Sequence, residues 1–227
     1  MMCGRYTLTT PPVKVRELTQ VNTALNTPPL FNVAPTQGAP VLRVKEGSSQ
    51  LVMLRWGLIP PWAKDATIAS KLINARFETA PEKPSFRAAY GSRRCLVPAD
   101  GFYEWRSEHG VKQAFRIGLQ EGKAFAFAGL WEDWKKPAGP GAVQEVLETF
   151  TILTTRANQK LTPIHHRMPV IVSPSNFDLW LNGEPDETRM LGQPYPSEEM
   201  IYYRVSSRVN NVKNNDAECV APLISAD

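Results

Sequence analysis

The sequence lacks the features of a membrane-spanning or secreted protein. Among its 227 residues no run of about 18 apolar residues occurs, so no segment has the length of a membrane-spanning helix. The first residues hold no apolar signal region, and we therefore expect a cytoplasmic protein. Cysteine is scarce: Cys3, Cys95 and Cys219 form no CxxC pair, which argues against a zinc ribbon and against a disulfide framework.

Familiar cofactor-binding and hydrolase motifs are also absent. The sequence contains no GxGxxG, no P-loop and no GxSxG. Two of the three histidines, His165 and His166, are adjacent, and on a strand they would point to opposite faces and make a poor pair of metal ligands. We therefore expect neither a metal site nor a cofactor.

Turn-forming residues, by contrast, are frequent, with 20 prolines and 14 glycines. Between them lie short runs rich in β-favouring residues, at 41–45, 51–56, 101–106, 114–119, 124–131, 148–155, 168–172 and 201–205. Helices are few: one is predicted within 11–20, and another within 173–181, where Ser173 can cap, Pro174 suits the first turn and Asn182-Gly183 ends the helix. The pattern predicts one mixed, β-rich domain over residues 1–227.

The charge and the aromatic residues are compatible with a nucleic-acid partner. The formal net charge is +4, which by itself says little about partners. Tryptophan stands beside basic residues in "RWGLIPPWAK" and "YEWR", and exposed rings next to cations suit the stacking and phosphate contacts of single-strand binding. The alternative is that Trp56, Trp62 and Trp105 belong to the core.

Several polar residues stand among apolar ones and are candidates for proton transfer. Glu104 lies between two aromatic residues, where desolvation would raise its pKa; the alternative is a carboxylate that faces water. The reference pKa of histidine, about 6.5, suits acid–base work by His165, although a structural histidine explains it equally well. Asn74 and Arg76 alternate with apolar neighbours and should share one face of an extended segment, unless a turn or a salt bridge accounts for them.

Cys3 follows two methionines. If translation starts at Met2, removal of that methionine leaves Cys3 as the N-terminal residue, with a thiol and a free α-amine on adjacent carbons. We therefore expect Met2 to be the working start, because a chain that begins at Met1 keeps the Cys3 nitrogen in an amide.

Seven segments together carry a resemblance that no single one would. In order they are "MCGRYTL", "FNVAPTQ", "WGLIPPWAKD", "INARFETA", "RRCLVPADGFYEW", "IHHRMPVIV" and "VSSRVNNVKN". The sequence resembles the SOS-response-associated peptidase (SRAP) family, also called abasic-site processing proteins, from Met2 to about Asn214. The resemblance implies an α+β fold: a single β-rich domain whose two curved sheets form an open barrel with flanking helices.

The resemblance also implies roles for individual residues. The catalytic positions of the family match Cys3 as nucleophile, Asn74, Glu104 and His165. The DNA-contacting positions match Gly4, Arg5, Asn32, Pro35, Arg76, Arg87, Trp105, Thr154 and Arg167.

The function implied is covalent capture of abasic sites in single-stranded DNA by a protein that acts as a monomer. In this interpretation the Cys3 amine forms an imine with the sugar aldehyde, and the thiol closes a thiazolidine. An imine that is not captured would make the same site a β-elimination lyase. Two alternatives remain open, a thiol peptidase or autopeptidase that uses Cys3, and a protein that binds single-stranded DNA without covalent chemistry.

Overall fold

The computed structural model describes residues 3–22, 25, 27–108, 110–137 and 143–223. Its strands are β1 (Tyr6–Leu8), β2 (Leu30–Val33), β3 (Gly38–Lys45), β4 (Ser48–Trp56), β5 (Asn74–Arg76), β6 (Arg94–Ala99), β7 (Gly101–Glu108), β8 (Val111–Leu119), β9 (Phe125–Lys135), β10 (Val146–Arg156), β11 (Arg167–Pro169), β12 (Ile171–Val172) and β13 (Met200–Val205). Its helices are α1 (Pro12–Thr19), α2 (Arg87–Ser92) and α3 (Phe177–Asn182), joined by short 3-10 turns.

The strands form two sheets. One has five strands in the order β13-β8-β7-β1-β2. The other has eight, and in it β10, β4, β3, β6 and β9 pair in sequence until β9 returns to β10, which closes a five-stranded barrel. The short strands β5 and β11 pair with β10, and β12 pairs with β9. The predicted β-rich α+β fold with two sheets and flanking helices is confirmed.

Both faces of the barrel wall are covered. On β9 alternate residues such as Phe127 and Trp131 point into the barrel, while Ala128 and Leu130 point outward and pack in a cluster with Trp180 of α3. A strand that is buried on both faces reads as a continuous apolar run, as "AFAFAGLW" does.

The helix and strand predictions agree with the structure except at their ends. The run at 168–172 is divided into β11 and β12, and the second predicted helix is a 3-10 turn (Pro174–Asn176) followed by α3. Ser173 stands before this turn with extended backbone, but its hydroxyl makes no capping hydrogen bond. No helix in the described part of the chain is long and apolar enough to cross a membrane.

Candidate active site

The register of β1 against β7 brings the N-terminal segment to Glu104. Tyr6 pairs with Phe102 in an antiparallel ladder, so continuing the ladder by two residues sets Gly4 opposite Glu104. The nitrogen of Cys3 then donates a hydrogen bond to Oε1 of Glu104 at 2.8 Å. Two of the predicted catalytic residues are therefore in direct contact.

Cys3 is enclosed. Its residue surface is fully buried, and its carbonyl oxygen accepts a hydrogen bond from Nδ2 of Asn74 at 3.2 Å. The φ angle of Cys3 is +26°, on the left-handed side of the backbone map that residues other than glycine rarely occupy. Met1 and Met2, on which the predicted start at Met2 and the removal of that methionine depend, lie outside the described residues.

Burial sets the proton affinities of this pair. Glu104 is only 3% exposed, and this burial raises its pKa to about 7, although the hydrogen bond from Cys3 acts in the opposite direction. Burial, and then the nearby carboxylate of Glu104, raises the pKa of the Cys3 thiol well above its ordinary value. The site thus holds a protonated thiol beside a carboxyl group that exchanges its proton near neutral pH.

His165 lies in the bend just before β11 and supports two protonation states. Its Nδ1 is 3.1 Å from the amide nitrogen of Arg167 and 3.1 Å from the carbonyl oxygen of the same residue. A neutral Nδ1 accepts from the amide, whereas a protonated Nδ1 donates to the carbonyl. Partial burial lowers the pKa of His165, which favours the neutral ring at neutral pH.

The side chains of His165 and His166 do not diverge. The expectation that they point to opposite faces of a strand is wrong, because both residues precede β11, and their rings stack with centroids 4.4 Å apart. Ile164, the residue before them, belongs to the same large apolar core cluster as Cys3 and Ile73.

The opposite face of β7 carries Trp105. Because side chains alternate along a strand, Phe102 and Glu104 face the barrel while Tyr103 and Trp105 face the residues after β13. The indole Nε1 of Trp105 donates to Oδ1 of Asn210 at 2.8 Å. The ring itself is half-buried.

The chain from 206 to 215, here called the C-terminal segment, also engages Arg5 and Asn32. Arg5 donates to the carbonyl oxygen of Val209 at 2.6 Å and to Oδ1 of Asn32 at 2.9 Å. The side-chain nitrogen Nδ2 of Asn32 donates to three backbone carbonyl oxygens of the segment, at Val209, Asn211 and Asn214. Two of the predicted DNA-contacting side chains therefore hold protein backbone in this structure.

The remaining predicted DNA contacts differ in exposure. Arg76 on β5 and Arg87 at the start of α2 are exposed, and Gly4 and Pro35 are half-buried. Asn74 and Arg76 share one face of β5, with buried Ala75 between them. Thr154 is fully buried, and Arg167 is 11% exposed with its guanidinium on the carboxylate of Glu78. A role of these residues in DNA binding stays a prediction.

The tryptophans differ in burial, which the sequence alone left open. Trp56 is fully buried in the core, whereas Trp62 is 57% exposed. The exposed ring stands on the loop after β4, where basic and aromatic residues alternate with prolines. This composition was the only feature of the sequence that indicated an exposed Trp62. Because the same run contains buried Trp56, the composition does not distinguish the two.

The chemistry available here is proton transfer at a nitrogen that carries a thiol on the neighbouring side chain. Among the residues that the structure describes, no group of three or more His, Cys, Asp or Glu side chains is placed to hold a metal ion. Cys3 is hydrogen-bonded to both Asn74 and Glu104. His165 lies just before β11, the strand that pairs with β10.

Comparison with known proteins gives relatives over nearly the whole chain. A family model described as "SOS response associated peptidase (SRAP)" matches residues 2–212. The chain is 45% identical over 226 residues to the abasic site processing protein YoqW of Bacillus subtilis, a match that covers 96% of this chain and 99% of the relative. It is 34% identical to the abasic site processing protein HMCES of Pongo abelii, over 86% of this chain and 65% of that protein.

Solved structures share the fold. A crystal structure of a protein from Bacteroides thetaiotaomicron superposes with a TM-score of 0.85 at 28% identity, covering 98% of this chain and 100% of that one. A protein from Bordetella bronchiseptica superposes with a TM-score of 0.77 at 25% identity, over 90% of this chain and 100% of that one.

Proposed function

The chain belongs to the SOS response associated peptidase (SRAP) family, and we propose that it processes abasic sites by binding single-stranded DNA and joining Cys3 covalently to the sugar. The lesion is an aldehyde in equilibrium with a closed sugar. A covalent adduct removes that aldehyde, which would otherwise promote strand cleavage.

One observation carries the proposal: the Cys3 nitrogen lies 2.8 Å from a carboxyl group whose pKa is about 7. When the bond between Met2 and Cys3 is cut, this nitrogen becomes an α-amine, with an ordinary pKa of about 8. The Glu104 carboxylate is placed to take the proton of this amine, and loss of that proton leaves a neutral, nucleophilic nitrogen.

The covalent steps balance without any added reagent. The neutral amine attacks the aldehyde carbon to give a carbinolamine. Glu104 supplies the proton with which hydroxide leaves as water, and the proton left on the nitrogen returns to the Glu104 carboxylate as the imine forms. The thiol sulfur then bonds to the same carbon, and the thiol proton passes to the imine nitrogen. The product is a thiazolidine, and one water molecule is released. The ring closes quickly because thiol and imine are held on adjacent atoms.

The other site residues receive supporting roles. Asn74 holds the Cys3 carbonyl and so fixes the direction of the amine. His165, with a backbone partner for either protonation state, moves protons during opening of the sugar. Exposed Arg76 and Arg87 suit the phosphates, and Trp62 and Trp105 offer rings on which unpaired bases stack.

A thiol peptidase is the competing activity, and the electrostatics favour it less. A peptidase nucleophile needs a thiolate, commonly one with an imidazole partner. Burial instead raises the pKa of the Cys3 thiol, and in the described part of the chain this thiol makes no hydrogen bond to His165. The amine route does not need a preformed thiolate.

The test is incubation of the Cys3-initiated protein with an abasic single strand, followed by a denaturing gel. We expect a stable shifted band, and intact-mass analysis should show the protein plus DNA less one water. Cys3→Ala should give no stable band but still bind the strand. Cys3→Ser keeps the amine and should give only an adduct that borohydride traps, together with some strand cleavage.

The same experiment separates the alternatives. A stable adduct with Cys3→Ala, or with protein whose mass still includes Met2, would contradict the mechanism. A shift seen only on a native gel would indicate plain binding, and peptide turnover without an adduct would indicate a peptidase.

A further inference from the structure

The guanidinium of Arg167 is already occupied in the DNA-free protein. Its Nη1 donates to Oε1 of Glu78 at 2.7 Å and its Nη2 donates to Oε2 at 2.8 Å, a two-point ion pair. This is the geometry in which arginine binds a phosphate group, with two parallel N–H donors on two oxygens. A side chain expected to hold DNA phosphate therefore holds a carboxylate of its own chain.

Arg167 is anchored on its other side. Nη2 also donates to the carbonyl oxygen and to Oγ1 of Thr154, which is fully buried on β10. Arg167 itself begins β11, which is paired with β10. The guanidinium can therefore keep its position when its outer partner changes.

Glu78 is the partner that can leave. Its side chain is 48% exposed against 11% for Arg167, and it stands on the turn that follows β5 rather than within a strand. Because about half of the Glu78 side chain meets solvent, water can take the place of the guanidinium when the pair separates. Glu78 also stands two residues after exposed Arg76, whose charge acts on the Glu78 carboxylate.

We propose that Glu78 is a displaceable internal ligand of Arg167, which holds the guanidinium ready in the DNA-free protein and yields it to a backbone phosphate when a single strand binds. This inference rests on the proposed function. It makes Glu78 a residue that sets affinity for the strand and leaves the chemistry at Cys3 unchanged.

The test compares wild-type protein with Glu78→Gln, which keeps the shape of the side chain and removes its charge. Binding to a single strand without any lesion is measured by fluorescence anisotropy. We expect about two- to five-fold tighter binding by the variant, the range set by the strength of an exposed ion pair. In crosslinking to an abasic strand, the half-saturating DNA concentration should fall by the same factor while the maximal rate stays constant.

A matched control separates local displacement from a general change in charge. Glu82→Gln removes an equal charge four residues further along, from an exposed carboxylate that makes no ion pair with Arg167. A double-mutant cycle adds Arg167→Lys, which keeps a cation and loses the two-point geometry; in that background Glu78→Gln should gain nothing. Thermal unfolding verifies that each variant is folded.

Equal or weaker binding by Glu78→Gln would overturn the inference, as would an equal gain from Glu82→Gln. Failure of the proposed function has a different signature. The wild-type protein would then form no adduct with the abasic strand, while the comparison on the intact strand would still decide the role of Glu78.

Discussion

Glu104 combines deep burial with a hydrogen bond to the one nitrogen that matters for the proposed chemistry. Its carboxyl group is 3% exposed, and burial raises its pKa to about 7 while the Cys3 nitrogen belongs to a peptide bond. Few carboxyl groups can both give and accept a proton near neutral pH. The consequence is a testable dependence on pH.

Glu104→Gln should slow adduct formation by the Cys3-initiated protein about 10²- to 10⁴-fold, the usual contribution of a positioned acid–base group. The rate of the wild type should depend on pH through both Glu104 and the Cys3 amine, and the variant should keep only the rise that accompanies loss of the amine proton. The measurement is a pH series of single-turnover crosslinking rates. Glu108→Gln, on the same strand but paired with Arg106 and Arg204, is the control and should keep the wild-type profile.

The same substitution has a signed effect on stability. The folded pKa of Glu104 lies above its ordinary value, so the fold favours the protonated form, and the native state loses stability as pH rises from about 4.5 to 7. In protein that retains Met2, Glu104→Gln should therefore gain stability relative to wild type over that interval, by up to about 3 kcal/mol. Urea unfolding measures it, and a difference that stays constant with pH would contradict the buried carboxyl.

The sequence correctly indicates a desolvated Glu104, but the residues that desolvate it are not the ones expected. Its aromatic neighbours Tyr103 and Trp105 point to the other face of β7 and do not desolvate it; the barrel side and the N-terminal segment do. The pairing of Arg167 with Glu78 lay beyond reach altogether, because the two are 89 residues apart in the chain and nothing local marks them as partners.

The C-terminal segment, residues 206–215, behaves as a clamp on the N-terminal half of the site. Its carbonyl oxygens accept from Arg5 and Asn32, and Asn210 accepts from the indole of Trp105. The run "VSSRVNNVKN" therefore contacts the site through Arg5, Asn32 and Trp105, and none of its residues reaches Cys3 in the described contacts.

Asn210→Ala should release the indole of Trp105 and weaken single-strand binding several-fold, since stacking of one base on an aromatic ring is worth about 1–3 kcal/mol and depends on ring orientation. Anisotropy measures the affinity, and the indole N–H signal of Trp105 in a ¹⁵N spectrum, assigned with Trp105→Phe, should move. Asn211→Ala, whose side chain bonds only to Lys213 within the described part of the segment, is the control. Unchanged affinity together with a shifted indole signal would show that Trp105 does not stack on DNA.

The long strands could be predicted, whereas β1, β2, β5 and β6 could not. β4, β8, β9 and β10 carry continuous β-favouring runs, which local pattern reveals. β5 is three residues long and exists because β10 pairs with it, and β6 contains Pro98, which disfavours a strand in any reading of sequence alone. Tertiary pairing decided both.

The closed barrel is a property of the whole chain. Its closure depends on β9 pairing with β10 while β10 also accepts β4 in parallel, a combination that no local pattern encodes. One end of its interior holds Arg43, 4% exposed, with its guanidinium 4.4 Å from the ring centroid of Trp131 and an ion pair to Glu148. From the sequence, an arginine within a β-strand would be assigned to a solvent-facing position.

The left-handed backbone at Cys3 would couple the proposed removal of Met2 to folding. A non-glycine residue held at positive φ costs on the order of 1–3 kcal/mol, and that cost exists only while a peptide bond precedes the residue. Removal of Met2 from a chain that starts there would abolish the torsion and give Glu104 an ammonium partner in place of an amide. The native state therefore favours its own processed form, and a protein that retains Met2 should melt several degrees below the Cys3-initiated protein in calorimetry at neutral pH. Equal melting temperatures would mean that retaining Met2 imposes no strain on the backbone at Cys3. A lower melting temperature of the Met2-retaining protein would mean that folding makes removal of Met2 more favourable, because cleavage frees the α-amine and relieves the backbone strain at Cys3.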